Sequence, residues 1–295
     1  YDAVGNRLSE TLGTTARPYV ANTLNQYTSV ASVTHTYDTK GNLTSNGTQT
    51  FAYDSENRLV SSSTAGATYT FDPFGRRLSK TVAGITTRFL YDGDQLIAET
   101  DAAGATQAKY VFGPGIDEPL RLERGGTLTY YHADGLGSVV ALTNASGAVV
   151  ERLQYGAFGQ TRLTDPAGAA RATSIVANRF AFTGREWDAE TGLYHYRARA
   201  YSPSLGRFLQ RDPAGYAVGI NLYSYVRNNP TRWIDPLGLE KHDSSETTLR
   251  ELLLDYLRRA GVAIDEALIP SLLANELDDT QPYTLGQGFM NELLI

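Results

Sequence analysis

A mainly β protein made of successive antiparallel hairpins and ending in a small α-helical tail is what this sequence predicts. Three observations carry that expectation. An aromatic-Asp turn motif recurs from Tyr1 onward, and 28 glycines and 19 tyrosines among 295 residues give a turn-rich, strand-favouring composition. After Leu239 the apolar spacing changes from alternation to a helical stripe.

The motif reads Tyr1-Asp-Ala-Val-Gly-Asn-Arg-Leu8, then Tyr37-Asp-Thr-Lys-Gly-Asn-Leu-Thr44, Tyr53-Asp-Ser-Glu-Asn-Arg-Leu59 and Phe71-Asp-Pro-Phe-Gly-Arg-Arg-Leu78. Tyr91-Asp-Gly-Asp-Gln-Leu96 is a weaker copy, and Tyr131-His-Ala-Asp-Gly-Leu136 and Tyr155-Gly-Ala-Phe-Gly159 are later echoes. The middle copies are 16, 18 and 20 residues apart, the length of two short strands and their turns. In each unit the aromatic closes a strand on its buried face. Asp-x-x-Gly or Asp-x-x-Asn makes a turn in which Gly or Asn takes positive φ, and the following Leu opens the next strand. Turns are expected at Asp2–Asn6, Asp38–Asn42, Asp54–Asn57 and Asp72–Gly75, so residues 1–160 read as a run of hairpins.

Charge divides the chain. Residues 240–295 hold 11 of the 32 acidic and 4 of the 26 basic residues, so the rest is nearly neutral and offers no nucleic-acid surface. The absence of cysteine excludes disulfides and thiolate metal sites. His35, His132, His195 and His242 lack metal-ligand spacing, and the glycine-rich turns carry no phosphate-loop Lys-Ser/Thr, so no metal or cofactor is expected. No apolar run approaches the ~18 residues that span a membrane. Tyr1 starts in mid-pattern, so the chain is expected to be a fragment of something longer.

The stretch before the change of character holds two Asp-Pro turns 23 positions apart, Arg211-Asp212-Pro-Ala-Gly215 and Asp235-Pro-Leu-Gly-Leu239. By themselves such pairs read as tight-turn starts. Tyr194-His-Tyr-Arg-Ala-Arg-Ala-Tyr201 alternates, which places Tyr194 and Tyr196 on one face of a strand and Arg197 and Arg199 on the other. Solvated arginines on a sheet surface are the plain reading of that row.

The repeats, with the closing run from Phe182-Thr-Gly-Arg-Glu-Trp-Asp188 through Asn221-Leu-Tyr and Asn228-Asn-Pro230 to Leu239, resemble the YD repeats of Rhs proteins, of the C components of insecticidal Tc complexes and of teneurins. The closing run resembles the Rhs core-associated block. The resemblance covers roughly residues 1–239 and implies a hollow, cocoon-like β-shell. It also implies that the block is an intramolecular aspartic protease cutting after the Leu of Asp-Pro-x-Gly-Leu. Matched residue by residue, Asp212 and Asp235 are then the catalytic carboxylates, Arg199 a supporting cation, and Leu239–Glu240 the scissile bond. Amide hydrolysis needs a base for water and an acid for the leaving amine, and two close carboxyls that cannot both ionise cheaply supply one of each. The acid and base roles stay unassigned at this point.

The expected organisation is a repeat segment over 1–180, a self-cleavage block over 181–239 and a variable effector segment over 240–295. In the tail, the Asp243-Ser-Ser-Glu246 capping box and the stripe of Leu249, Leu253 and Leu257 predict a helix over about 246–260, which Gly261 ends. The resemblance implies as partners the chain's own tail inside the shell, secretion-system or toxin-complex components and an immunity protein, with a secreted or cell-surface location. The competing expectation is a structural or adhesive repeat protein whose closing block is non-catalytic.

Overall fold

Each aromatic-Asp motif closes its turn with one set of bonds, and these set the architecture. The Oδ1 atom of Asp38 accepts the backbone N–H groups of Lys40 and Asn42 at 2.9 and 2.8 Å. Its Oδ2 atom accepts the Asn42 side-chain amide at 2.8 Å. Gly41, at φ +90°, makes the reversal possible, and Asn57 does the same at +64° in the next copy. Asp2, Asp54 and Asp72 repeat the pattern, with Asn6, Arg58 and Arg76 in the fifth position. That fifth side chain also reaches onward to the next turn. Asn6 donates to Asn25 Oδ1, Asn42 to Asn57 Oδ1, Arg58 to the Asp72 carbonyl and Arg76 to the Gly93 carbonyl, all within 2.8–3.0 Å. Asp38→Ala, which removes three accepted bonds at one turn, is expected to cost about 2 kcal/mol. Urea denaturation with an unchanged slope is the check.

The same turn occurs where the motif is faint. Asn22 and Asn144 use their side-chain oxygens in place of a carboxylate, and Asp101, Asp134 and Asp165 need no preceding tyrosine. An acceptor oxygen reaching the backbone N–H four residues on, rather than the aromatic, is what these turns share.

The structure is a computed structural model that describes residues 1–217, 219–239 and 242–243. Strands Ser9–Leu12, Thr15–Ala21, Tyr27–Val30 and Val33–Thr34 form a four-stranded antiparallel sheet in sequence order. Thirteen further strands, from Phe51–Tyr53 to Ala170–Arg171, form one wide sheet, again each beside its sequence neighbours. The only helical segments among the described residues are short 3₁₀ turns. Antiparallel hairpins thus run through the repeat region, as expected. The helix expected over 246–260 lies outside the described residues.

One face of the wide sheet presents Phe89, Tyr110, Leu122, Tyr131 and Leu153, all buried. Phe180 covers them edge-on, its ring 5.0 Å from Tyr110 and 5.3 Å from Phe112. Behind it, Glu186–Asp188, Leu193–Tyr196, Arg199–Ser202 and Arg207–Phe208 make a second four-stranded sheet, the closing sheet. Tyr194, Tyr196, Tyr201, Phe208 and Tyr225 form its aromatic core, with Tyr201 and Tyr225 centred 4.6 Å apart.

The alternation expected across Tyr194–Tyr201 does not hold as one strand. Arg197 stands at φ +49° and, with Ala198, turns the chain, so that Tyr196 pairs with Arg199 and Tyr194 with Tyr201. The turn reverses the parity of the faces. Arg199 therefore shares the tyrosine face, its guanidinium 3.6 Å from the Phe208 ring centre, and is buried rather than solvated.

Ion pairs tie the closing sheet to the wide sheet. Arg77 bonds Asp188 at 2.5 Å and Glu186 at 2.7 Å, and Lys80 bonds Asp188 at 2.8 Å. Arg179 bonds Glu99 at 2.6 Å. The first turns are also held by the block: Asn221 donates to the Val4 carbonyl, Asn228 to the Gly5 carbonyl and Arg207 to the Asn25 carbonyl.

Candidate cleavage site

The two Asp-Pro turns are brought together by one arginine. Asp212 follows the last strand of the closing sheet, and Asp235 follows the short strand Trp233–Ile234. Asp212 N donates to the Leu222 carbonyl, and its Oδ1 accepts from Ala214 N at 2.9 Å, so the carboxylate is held at the start of its turn. Asp235 accepts from Leu239 N at 2.9 Å through Oδ1, closing a second turn over Pro236-Leu-Gly238. The remaining oxygens meet at Arg199, whose Nη2 lies 2.8 Å from Asp212 Oδ2 and 3.3 Å from Asp235 Oδ2. Arg199 also donates from Nε to the Gly238 carbonyl at 2.5 Å and from Nη1 to the Leu222 carbonyl at 3.2 Å.

Asp212, Asp235, Arg199 and Leu239 are all buried, with exposures of 8%, 2%, 2% and 8%. Glu240 lies outside the described residues, but Leu239 ends the gripped segment beside the carboxylates. Burial pushes the Asp212 carboxyl up to about 6, against the pull of Arg199, with Asp235 adding to the rise. Burial also lowers Arg199 from its usual value, although both aspartates oppose that shift. One carboxyl that holds its proton nearer neutral pH, a second carboxylate and a buried cation next to a peptide segment suit acid–base attack on an amide.

The histidines take other places. His132 bonds Thr143 Oγ1 at 3.0 Å on a strand of the wide sheet. His195 is buried beside Arg77, and burial first, then Arg77, drives its pKa down to about 3. Among the described residues no cluster of His, Asp and Glu fits a metal ion.

Sequence reasoning missed a second arginine at this site. Arg197 bonds Asp117 through two nitrogens at 3.0 and 2.8 Å and donates to the Pro236 carbonyl at 2.5 Å. Asp117 sits in a loop of the wide sheet, 80 residues away in sequence, and also accepts from Arg185 at 2.6 Å. No local pattern around Gly115-Ile-Asp117 marks it.

Hairpins in sequence order, the turn-to-turn bonds and a folded-back aromatic block together define a YD-shell protein. The chain belongs to that family: the Teneurin YD-shell family model matches residues 1–231. Over 178 residues it is 36% identical to the tRNA3(Ser)-specific nuclease WapA of Bacillus spizizenii, a match covering 58% of this chain and 7% of that protein. It is 30% identical over 201 residues to double-stranded DNA deaminase toxin A of Burkholderia cenocepacia (58% and 14%). It is 42% identical over 101 residues to the toxin subunit YenC2 of Yersinia entomophaga (34% and 10%). The chain thus spans less than a fifth of these relatives. Among solved structures, the Tc holotoxin pore of Photorhabdus luminescens carrying the TccC3-D651A mutation aligns with a TM-score of 0.56 and 22% identity, covering 79% of this chain and 14% of that one. The fold is shared with the Rhs and Tc toxin proteins. No helix among the described residues is long and apolar enough to cross a membrane.

Proposed function

We propose that this chain is the C-terminal part of an Rhs-type toxin, in which residues 1–180 form shell wall, residues 181–239 cut the chain after Leu239 and residues 240–295 are the released effector segment. The observation that carries the reading is Arg199: one guanidinium touches Asp212, Asp235 and the Gly238 carbonyl, just before the bond to be cut. In the step we envisage, one carboxylate takes a proton from water as its oxygen attacks the Leu239 carbonyl carbon. The other carboxyl protonates the Glu240 nitrogen as the C–N bond breaks, leaving a Leu239 carboxylate and a new amine. Asp212, with its raised pKa, is assigned the acid role, and Asp235 the base role. The relatives' names, nuclease and deaminase toxins, support reading the chain as part of a toxin. A secreted or surface location, toxin-complex or secretion partners and an immunity protein fit that reading.

A second reading has its own support. Both aspartates use one oxygen to close their own turns, as structural residues would. Pulse-labelled cell-free synthesis of the full-length protein separates the two. Self-cleavage predicts a cut after Leu239, confirmed by intact mass, with a first-order rate independent of protein concentration. It also predicts a rate that falls about tenfold per pH unit above about 6, as Asp212 loses its proton. A chain that stays whole without added protease sinks the proposal, and a rate that rises through that pH reverses the acid and base assignments.

A further inference from the structure

Three successive residues grip three successive carbonyls ahead of Leu239. Arg197 Nη1 donates to Pro236 O at 2.5 Å, Ala198 N to Leu237 O at 3.3 Å and Arg199 Nε to Gly238 O at 2.5 Å. The turn that produces this comb depends on Arg197 at φ +49°. Close approach of the two segments is built in at Gly238, where φ is +70° and an added Cβ would lie 2.3 Å from the Tyr196 carbonyl oxygen. Donors in a fixed row against consecutive carbonyls hold the segment in place, and the turn that Asp235 closes to Leu239, with Gly238 at positive φ, fixes which carbonyl meets which donor.

Arg199 belongs to the carboxylate pair already described, and Ala198 contributes only backbone. Arg197 touches neither carboxylate. Its two bonds to Asp117 spread its guanidinium against a residue anchored in the wide sheet, and Asp117 is fixed in turn by Arg185, which also donates to the His195 carbonyl at 2.7 Å. A bidentate arginine so held delivers its remaining donor direction with little freedom.

We propose that Arg197, held by Asp117, is a positioning residue that sets which peptide bond faces the Asp212 and Asp235 carboxylates. The proposal rests on the self-cleavage reading. It makes the wide sheet part of the specificity of the cut, since the register of the substrate is fixed from a loop of that sheet. The bond after Leu239 is selected because the Pro236, Leu237 and Gly238 carbonyls are counted off by the comb, and not because of leucine chemistry alone.

The test compares full-length proteins carrying Arg197→Ala, Arg197→Lys, Asp117→Asn, Asp212→Asn and Lys80→Ala. Intact mass reads the cut positions, a time course reads the rate, and thermal unfolding reads folding. Arg197→Ala is expected to slow the cut about 10- to 100-fold, as displaced reacting groups do, and to spread residual cleavage to the bonds on either side of Leu239–Glu240. Arg197→Lys, which keeps one charged donor, is expected to recover the single cut position and part of the rate. Asp117→Asn is expected to fall between them. Lys80→Ala, in an ion pair away from the comb, should lower the unfolding temperature without spreading the cut. If Arg197→Ala does not fold, Arg197→Lys and Asp117→Asn carry the comparison. Wild-type rate and a single cut in all three comb variants, with Asp212→Asn left whole, overturns the role of Arg197 and leaves the self-cleavage reading standing. Cutting of Asp212→Asn at the wild-type rate removes both.

Discussion

Asp212→Asn and Asp235→Asn are each expected to leave the full-length protein uncut, a loss of about a thousandfold or more in rate. Asparagine keeps the shape and the acceptor oxygen that closes each turn, so Ala214 N and Leu239 N keep their partners. What it removes is a group able to take or give a proton. Arg199 keeps one carboxylate partner in either variant and its bond to the Gly238 carbonyl, so it is not stranded. Lost chemistry is thereby separated from lost folding. The measurement is a denaturing gel alongside urea denaturation: an uncut chain with a near-wild-type midpoint is the expected pair of results. Equal cutting of wild type and both variants after Leu239 would show that an external protease does the work.

The second large effect concerns stability. Arg77→Met is expected to cost about 3–5 kcal/mol at neutral pH, because it leaves Glu186 and Asp188 buried without their main cation. Lys80 remains on Asp188, so Glu186 bears the greater loss. Burial raises the Glu186 pKa, but Arg77, His195 and other neighbours outweigh it and bring it down to about 2. A folded pKa below the unfolded one gives stability that is present above the ordinary value of 4.5 and lost as pH falls through about 2. Without Arg77 the sign reverses for this group, since burial then dominates and favours the protonated acid. The stability gap between wild type and Arg77→Met should therefore narrow as pH drops from 7 toward 4, read as urea midpoints at each pH. A gap that stays constant would show that Arg77 acts through packing against Tyr69 and Phe89, over whose rings it lies.

The hairpin architecture was legible because its cause is local. An Asp or Asn oxygen, a Gly or Asn at positive φ and the alternating residues that follow all fall within one short window, so Tyr37-Asp-Thr-Lys-Gly-Asn42 states its own turn. Asn22 and Asn144 give no such signal, because neither follows an aromatic or is a carboxylate, and the turn requires neither. Asp212 and Asp235 stood out as Asp-Pro pairs, but their meeting at Arg199 is set by long-range packing of the closing sheet, and only the family resemblance pointed to it. A two-residue turn inside an alternating run leaves the alternation in the sequence intact, which hides that Arg199 shares the tyrosine face. Asp117 had no local signal, since its partners lie 68 and 80 positions away.

The bonds that pass from each turn to the next have a consequence for how the chain is made. Asn6 reaches Asn25, Asn42 reaches Asn57, Arg58 reaches Asp72 and Arg76 reaches Gly93. The later turn of each of these four pairs therefore finds its partner already synthesised, 14 to 19 residues upstream. Such a wall can be laid course by course, at the low loop-closure cost of near neighbours. The closing block is different, because Asn221, Asn228 and Arg207 must find Val4, Gly5 and Asn25 at the other end. Translation order thus makes the repeat segments before the residues that bring Arg199 and its two aspartates together.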